Sequence, residues 1–209
     1  MSGLFRNTLQ LSDPEYRTGS GTRTSLSVGF LPSGFVCALL DTEKYRYVAL
    51  EEFLYEGGKS TDFYSDFADF AKGHHFLIGE FDKVSVSYYS PQLVLTPDSI
   101  FSSEKEESLY LASCKSEDGS IIKSDPLNIL KAYGTYSLPE EAVDKLDKLW
   151  GEYRLRHYGT VLIESVLAAQ KLERWNSSIV LHVNSESFEI LLLDGNKLKF
   201  YHSFRISCF

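Results

Sequence analysis

The chain has 209 residues, of which 43% are hydrophobic and 14% aromatic, and its 21 basic and 29 acidic side chains leave a net charge of −8. An apolar content of this size at this length predicts a globular protein of one or two small domains and argues against a disordered chain. The acidic balance, with a pI near 5.2, argues against a nucleic-acid-binding protein, which would present a basic face to phosphates.

The N-terminal part predicts a polar lead-in followed by a small sheet. Residues 1–24 are rich in Gly, Ser and Thr, and we expect their start to pair loosely with the body. From Ser25 onward apolar and polar residues alternate, and turns are supplied by Leu31-Pro-Ser-Gly34 and Asp41-Thr-Glu-Lys44. This pattern predicts an antiparallel meander of three strands.

An aromatic helix is predicted next. The segment Ser60-Thr61-Asp62 can cap it, and Phe63, Phe67 and Phe70 fall at positions i, i+4 and i+7, before a stop at Gly73. An aromatic line at helical spacing is more typical of core packing than of a ligand site. The following segment predicts strands over 84–89, 92–96 and 130–138, with an acidic helix between Ser102 and Cys114.

Two further helices lead to a second meander. Ser137 and Glu140 match the capping-box pattern at the start of one helix, and Thr160 can cap the other, with Leu162, Val166 and Ala169 on one side. Strands are then predicted over 178–183, 187–193 and 197–204, and the Asp194-Gly195 turn is a strong hairpin signal.

The two meanders resemble each other at a constant offset of 153 positions, which aligns Phe35–Asp41 with Phe188–Asp194. Two meanders built for similar burial would share part of this pattern by chance. A true repeat predicts two related α/β subdomains packed side by side, an arrangement that commonly forms a ligand cleft between its halves. The expected boundaries are a lead-in over 1–24, a first subdomain over 25–138 and the start of a second over 139–209.

Several stretches carry a resemblance to a known family: Leu26–Phe35, Tyr47–Glu52, Asp125-Pro126, Phe188–Gly195 and Phe200–Phe204. They resemble DUF3822, a bacterial domain-of-unknown-function family, from about Ser25 to the end of the chain. The resemblance implies an α/β protein with mixed sheets and the duplicated actin-like ATPase fold, which is ribonuclease H-like. Family members continue past residue 209, so we expect the second subdomain to stop after its third strand.

The same resemblance locates two hairpins that hold Mg-ATP in actin-like ATPases, where glycine amides approach the phosphates and an Asp lies near the metal. The first hairpin keeps Gly29 and Gly34 but has no Asp or Glu between residues 25 and 40, and Pro32 removes one amide. Any nucleotide would therefore bind here through the two glycines alone.

The second hairpin has no glycine between residues 179 and 194. His182 or Asn184 takes the place of the usual Asp, and Glu186 would direct a negative charge towards phosphate. If a nucleotide binds, the expected contacts here are Asn184 and Ser185. The loss of both acids and most glycines disfavours ATP and Mg²⁺ as cofactors, and we predict none.

No other pattern predicts catalysis or a metal site. His74-His75 reads as a solvated loop, because adjacent residues of an extended segment point in opposite directions. Isolated histidines such as His182 and His202 are expected to be hydrogen-bonded within the fold. Cys37, Cys114 and Cys208 form no CxxC motif, Cys37 lies in an apolar strand, and reduced structural cysteines in a cytoplasmic protein are expected.

The resulting prediction is a cytoplasmic, non-catalytic binding or scaffold module with a protein partner, no nucleic acid and no membrane span. The aromatic alternation of Phe200–Phe204 predicts an exposed C-terminal strand through which the chain could also self-associate. Two alternatives stay open: a nucleotide-dependent ATPase or small-molecule kinase of the actin-like superfamily, and a self-assembling structural protein.

Overall fold

A computed structural model describes residues 3–16, 23–57, 62–173, 176–184, 186–195 and 197–206. The chain divides into two compact units, residues 1–88 with 140–155 and residues 89–139 with 156–209. The chain therefore passes from one unit to the other three times, unlike the two consecutive subdomains expected over 25–138 and 139–209.

The first unit contains a six-stranded mixed sheet. Its strands and helices are β1 (Phe5–Ser12), β2 (Thr24–Leu31), β3 (Gly34–Asp41), β4 (Arg46–Tyr55), α1 (Phe63–Lys72), β5 (Lys83–Tyr88), α3 (Glu140–Trp150) and β9 (Arg154–His157), the last crossing the unit boundary. The strand order is β1-β4-β3-β2-β5-β9, with β2 and β5 parallel. The predicted first meander is confirmed as β2, β3 and β4, and the start of the lead-in forms β1, which pairs antiparallel with β4.

Aromatic side chains form the core of this unit. The Asp62 carboxylate accepts the backbone N–H groups of Tyr64 and Ser65, which caps α1 as predicted; Ser60 and Thr61 lie outside the described residues. Phe67 is fully buried, and α3 packs beside α1 through the Phe67–Trp150 ring pair, whose centroids are 6.1 Å apart. The predicted core role of the aromatic stripe is confirmed.

The second unit contains two three-stranded antiparallel sheets, ordered β6-β8-β7 and β10-β11-β12. Its elements are β6 (Val94–Pro97), a 3-10 turn (Ser103–Lys105), α2 (Glu106–Leu111), β7 (Ser120–Leu127), β8 (Ala132–Pro139), α4 (Tyr158–Glu173), β10 (Ser177–Val183), β11 (Ser187–Asp194) and β12 (Lys197–Arg205). The predicted second meander is confirmed as β10, β11 and β12. Its core is formed with α4, from Ile163, Leu167, Leu191 and Leu193.

Two predicted helix starts are wrong. Ser137 does not cap α3, because it lies within β8 and pairs with Ile122 of β7. Thr160 does not cap α4, which begins two residues earlier at Tyr158. The buried face of α4 is accordingly Ile163, Leu167 and Gln170 rather than the predicted line ending at Ala169, which is exposed.

The two meanders share their strand register. Phe30 pairs with Phe35 in the first, and 153 positions later Val183 pairs with Phe188 in the second. In both meanders the third strand carries one extra residue at the equivalent place: Val48 of β4, opposite Leu39-Leu40, and Lys199 of β12, opposite Leu192-Leu193. An irregularity repeated at the same offset supports a true internal duplication.

Candidate functional site

In the first predicted phosphate hairpin, neighbouring strands fill the space around the glycines. Gly29 lies inside β2 and pairs with Val36 of β3 and with Ser87 of β5, so its amide faces a neighbouring strand. A Cβ placed on Gly29 would lie 3.1 Å from side-chain atoms of both residues. The space beside this glycine is therefore filled by protein atoms.

Gly34 also has a packing role. A Cβ on this residue would collide with the backbone carbonyl oxygen of Phe53 on β4. The turn before it is tied to the same strand, because the backbone N–H of Tyr55 donates to the carbonyl of Ser33 over 2.8 Å. The close approach of β3 and β4 thus explains glycine at this position without a ligand.

The second predicted hairpin is closed by its own polar groups. The backbone N–H of Asn184 donates to the Ser187 carbonyl over 2.8 Å, and the Asn184 side-chain amide reaches the Glu189 carboxylate over 3.4 Å. Glu186 is exposed, and Ser185 lies outside the described residues. The backbone and side-chain N–H groups of Asn184 therefore stabilise its own loop.

A carboxylate is buried beneath this loop. Glu189 is inaccessible to solvent, and its carboxylate accepts a hydrogen bond from the Ser203 hydroxyl over 3.2 Å. The Ser203 hydroxyl oxygen in turn lies 3.1 Å from the Tyr89 hydroxyl. Burial raises the pKa of Glu189 above its usual value. A buried acid next to the loop opposes the binding of a polyanion.

Tyr158 and His182 form a hydrogen-bonded pair beside Glu189. Burial, reinforced by the charge of Glu189, raises the pKa of Tyr158 to about 12, so its hydroxyl stays protonated at neutral pH. His182 is thus hydrogen-bonded, as expected for an isolated histidine in a strand. The second hairpin does not fit an Mg-ATP site, because it has no glycine amide to approach a phosphate, its Glu189 carboxylate is buried, and its exposed Glu186 would direct a negative charge towards the phosphates.

The structure corrects the prediction for His74. Its Nε2 lies 3.1 Å from the carboxylate of buried Glu51, and its ring stacks on Phe70, whereas His75 is exposed. Burial lowers the pKa of His74 to about 4. Within the described ranges no group of three or more His, Cys, Asp or Glu residues could hold a metal ion.

Cys37 is a core residue, as predicted. It is buried, and burial raises the pKa of its thiol to about 12, with the charge of Glu51 adding to the effect. A thiol held protonated in this way is a poor nucleophile.

A buried network around Asp125 and His157 fixes the start of α4. One Asp125 oxygen accepts the His157 backbone N–H and the Thr160 hydroxyl, each over 2.6 Å. The His157 ring accepts the Gly159 N–H at Nδ1 and donates from Nε2 to the Ser90 carbonyl, each over 3.0 Å. All of these hydrogen bonds connect Asp125 or Ser90 to residues 157–160 or lie within 157–160, so the network holds the start of α4 in place.

One face of the β10-β11-β12 sheet exposes large apolar side chains, and we call it the apolar grid. Its nine side chains form three cross-strand rungs: Ile179, Leu192 and Phe200; Leu181, Ile190 and His202; Val183, Phe188 and Phe204. Exposed fractions are 72% for Ile179, 60% for Val183, 58% for Leu181, 45% for Phe200 and 39% for Leu192.

The opposite face of the same sheet is buried. Leu191 and Leu193 pack with Ile163 and Leu167 of α4. The second unit thus buries one face of its terminal sheet and leaves the other, largely apolar face accessible. The sequence predicted an exposed apolar surface only for Phe200–Phe204. It predicted β10 and β11 as strands but did not indicate that one face of each belongs to the same exposed surface.

The mixed six-stranded sheet and the repeated meander define an α/β protein with the actin-like ATPase fold. A crystal structure of a Bacteroides thetaiotaomicron VPI-5482 protein with actin-like ATPase fold and unknown function is similar to this chain, with a TM-score of 0.81 and 18% identity. The similarity covers 91% of this chain and 73% of that one. The predicted fold is confirmed.

The sequence profile of the family described as "Protein of unknown function (DUF3822)" matches residues 13–208, and the chain belongs to this family. No curated protein matches the chain.

Two other solved structures are more distant. The ethanolamine utilization protein EutJ from Carboxydothermus hydrogenoformans has a TM-score of 0.41 and 11% identity, over 93% of this chain and 54% of that one. A Ppx/GppA family member from Aquifex aeolicus has the same TM-score and identity, over 87% and 51%. Similarity at this level supports no functional comparison.

None of the helices among the described residues combines the length and apolar character needed to cross a bilayer.

Proposed function

We propose that this chain is a non-catalytic docking module of actin-like fold that binds a protein partner through the apolar grid. The observation that carries the proposal is the exposure of five large apolar side chains on one continuous sheet face. Large apolar patches on folded proteins mark interaction sites. Covering these five side chains would contribute on the order of 5 kcal/mol before the costs of association.

The two hairpins support a non-catalytic role. Gly29 and Gly34 are explained by strand packing, and Asn184 is engaged in its own loop. The alternative of a nucleotide-dependent ATPase or kinase needs free amides and accessible carboxylates at these positions, and Glu189 is instead buried.

A photo-crosslinking amino acid at Leu181, introduced in cells that make this protein, tests the docking proposal. Leu172 is the matched control, because it is an 84% exposed leucine of α4 outside the grid. We expect adducts with another polypeptide from position 181 and not from position 172. Equal adduct patterns from both positions, or none from position 181, would contradict docking through the grid.

The thermal midpoint of the purified chain with and without millimolar Mg-ATP tests the catalytic alternative. We expect no shift. A ligand at 100 times its dissociation constant stabilises by about 2.7 kcal/mol, which would raise the midpoint by several degrees at this chain length. A clear rise would move the nucleotide-dependent enzyme ahead of the docking module.

A further inference from the structure

The outer edge of β1 carries backbone groups that suit a further strand. We propose that this edge pairs antiparallel with the same edge of a second copy of the chain, which joins two six-stranded sheets into one. Among the residues that the structure describes, β1 ends its sheet and pairs only with β4. The proposal is independent of the apolar grid, which belongs to the other unit.

The direction of the free backbone groups follows from the register of β1 on β4. The backbone N–H of Asp13 donates to the Val48 carbonyl over 2.8 Å. Because bonded and non-bonded pairs alternate along an antiparallel ladder, Leu11 also bonds to β4, whereas the N–H and C=O groups of Gln10 and Ser12 point away from it. Gln10 and Ser12 therefore offer two donors and two acceptors to an incoming strand.

This edge lacks the charged groups that oppose strand pairing. Residues 6–12 are all exposed, and residues 7–12 contain no charge, proline or glycine. The opposite edge of the same sheet, β9, carries Arg154 and Arg156. Charged side chains are a common means by which proteins keep an edge strand from pairing, so the two edges of this sheet differ in their readiness to accept a strand.

A two-fold pairing of β1 with its own copy has one favoured register. With Gln10 opposite Ser12 of the second copy, four backbone hydrogen bonds form about an axis at Leu11. Gln10 opposite Gln10 would place Ser12 against the bulge at Thr8. Ser12 opposite Ser12 would place Gln10 against Pro14, which has no N–H to donate.

The side chains agree with the same register. Leu11 is 56% exposed and lies beside Leu50 of β4, on the sheet face away from the aromatic core. Pairing about Leu11 forms a row of four leucines across the junction, two from each copy. Within residues 9–13 no two like charges come opposite each other, since Asp13 faces Leu9. The strand is therefore complementary to itself, as a two-fold interface requires.

Sedimentation equilibrium of the purified chain over a micromolar to millimolar concentration series tests the association. We expect a monomer–dimer equilibrium. A chain that stays monomeric throughout the series would overturn the proposal.

Two variants locate the contact on β1. Leu11→Lys sets two ammonium groups opposite each other, and Ser12→Pro removes two of the four hydrogen bonds while leaving the bonds between β1 and β4 in place. Each should raise the dimer dissociation constant at least about tenfold, with urea unfolding at pH 7 confirming that the variants are folded. Leu172→Lys on α4 and Leu181→Ser on the grid are the controls and should leave the constant unchanged. A dimer that responds to the controls rather than to the β1 variants would place the contact elsewhere and refute the proposal.

Disulfide trapping tests the register, in a background with Cys114→Ser and Cys208→Ser, where the remaining Cys37 is buried. Two Leu11→Cys chains would hold their Cα atoms about 4.5 Å apart, within disulfide range. Two Leu9→Cys chains would be offset by four positions, about 14 Å apart, and serve as the matched control. We expect air oxidation to cross-link the first variant and not the second. Cross-linking at position 9 alone, or equally at both positions, would refute the pairing about Leu11.

Discussion

Acidification should destabilise the second unit through His157. This imidazole is 1% exposed, and burial lowers its pKa to about 4. The ordinary histidine pKa is about 6.5, so the unfolded chain takes up the proton at higher pH than the folded chain does. Stability is therefore fully present above about pH 6.5 and is lost as pH falls towards 4.

The magnitude follows from the two pKa values. At pH 4 the unfolded imidazole is almost fully protonated and the folded one half protonated, which removes about 3 kcal/mol of unfolding free energy. The buried acids act in the opposite direction. Burial raises the pKa values of Glu51, Asp125 and Glu189, so their folded forms hold protons that the unfolded chain releases, and acidification favours folding through them.

A non-titrating variant isolates the histidine. His157→Gln keeps an amide N–H that can donate to the Ser90 carbonyl, as Nε2 does now. Urea unfolding followed by circular dichroism at pH 7, 6, 5 and 4 should show about 3 kcal/mol more loss in the wild type than in the variant. Parallel pH profiles would refute the buried, neutral imidazole.

Other substitutions test the packing described above by urea unfolding at pH 7. Asp125→Ala should cost about 3–5 kcal/mol because it strands buried donors, whereas Asp125→Asn should cost about 1 kcal/mol; equal costs would contradict the network. Gly34→Ala should cost several times more than Gly73→Ala, since the nearest atom to a Cβ at Gly73, the Phe70 carbonyl oxygen, is 3.7 Å away and the φ of Gly73, −98°, is open to any residue. Phe67→Ala should cost about 3–5 kcal/mol, and Phe200→Ala on the exposed grid less than about 1 kcal/mol; the reverse order would refute the assigned burial.

Sequence alone located both meanders and the aromatic helix because their signals are local. Alternation with period two and turn residues define the strands, and the spacing of Phe63, Phe67 and Phe70 defines the buried side of α1. The strand β7 was missed, because Ser120–Leu127 lacks clean alternation and contains Pro126. As the edge strand of β6-β8-β7, it tolerates a residue without an N–H.

The errors at helix starts have a common physical cause. The pattern at Ser137 is a valid local cap, but pairing with Ile122 across the sheet extends the strand to Pro139. The first-turn hydroxyl at Thr160 donates to Asp125, which lies 35 positions away in sequence. Contacts at such a distance leave no local signal.

The apolar grid was only partly predictable for a similar reason. Both faces of β10, β11 and β12 carry apolar residues, so alternation alone cannot tell which face α4 covers. Packing of Leu191 and Leu193 against α4 decides it. The full likeness between the two meanders required the strand register, because their third strands are 151 positions apart after the extra residue, whereas the other strands are 153 apart.

The three passages of the chain between units have a consequence during synthesis. Strands β1 to β5 are synthesised first. Helix α3, which packs beside α1, is complete only when Trp150 has been added. At about 5–20 residues per second, the interval between residues 88 and 155 is roughly 3–13 s. The nascent first unit therefore carries an aromatic core that stays open on the Trp150 side for that time.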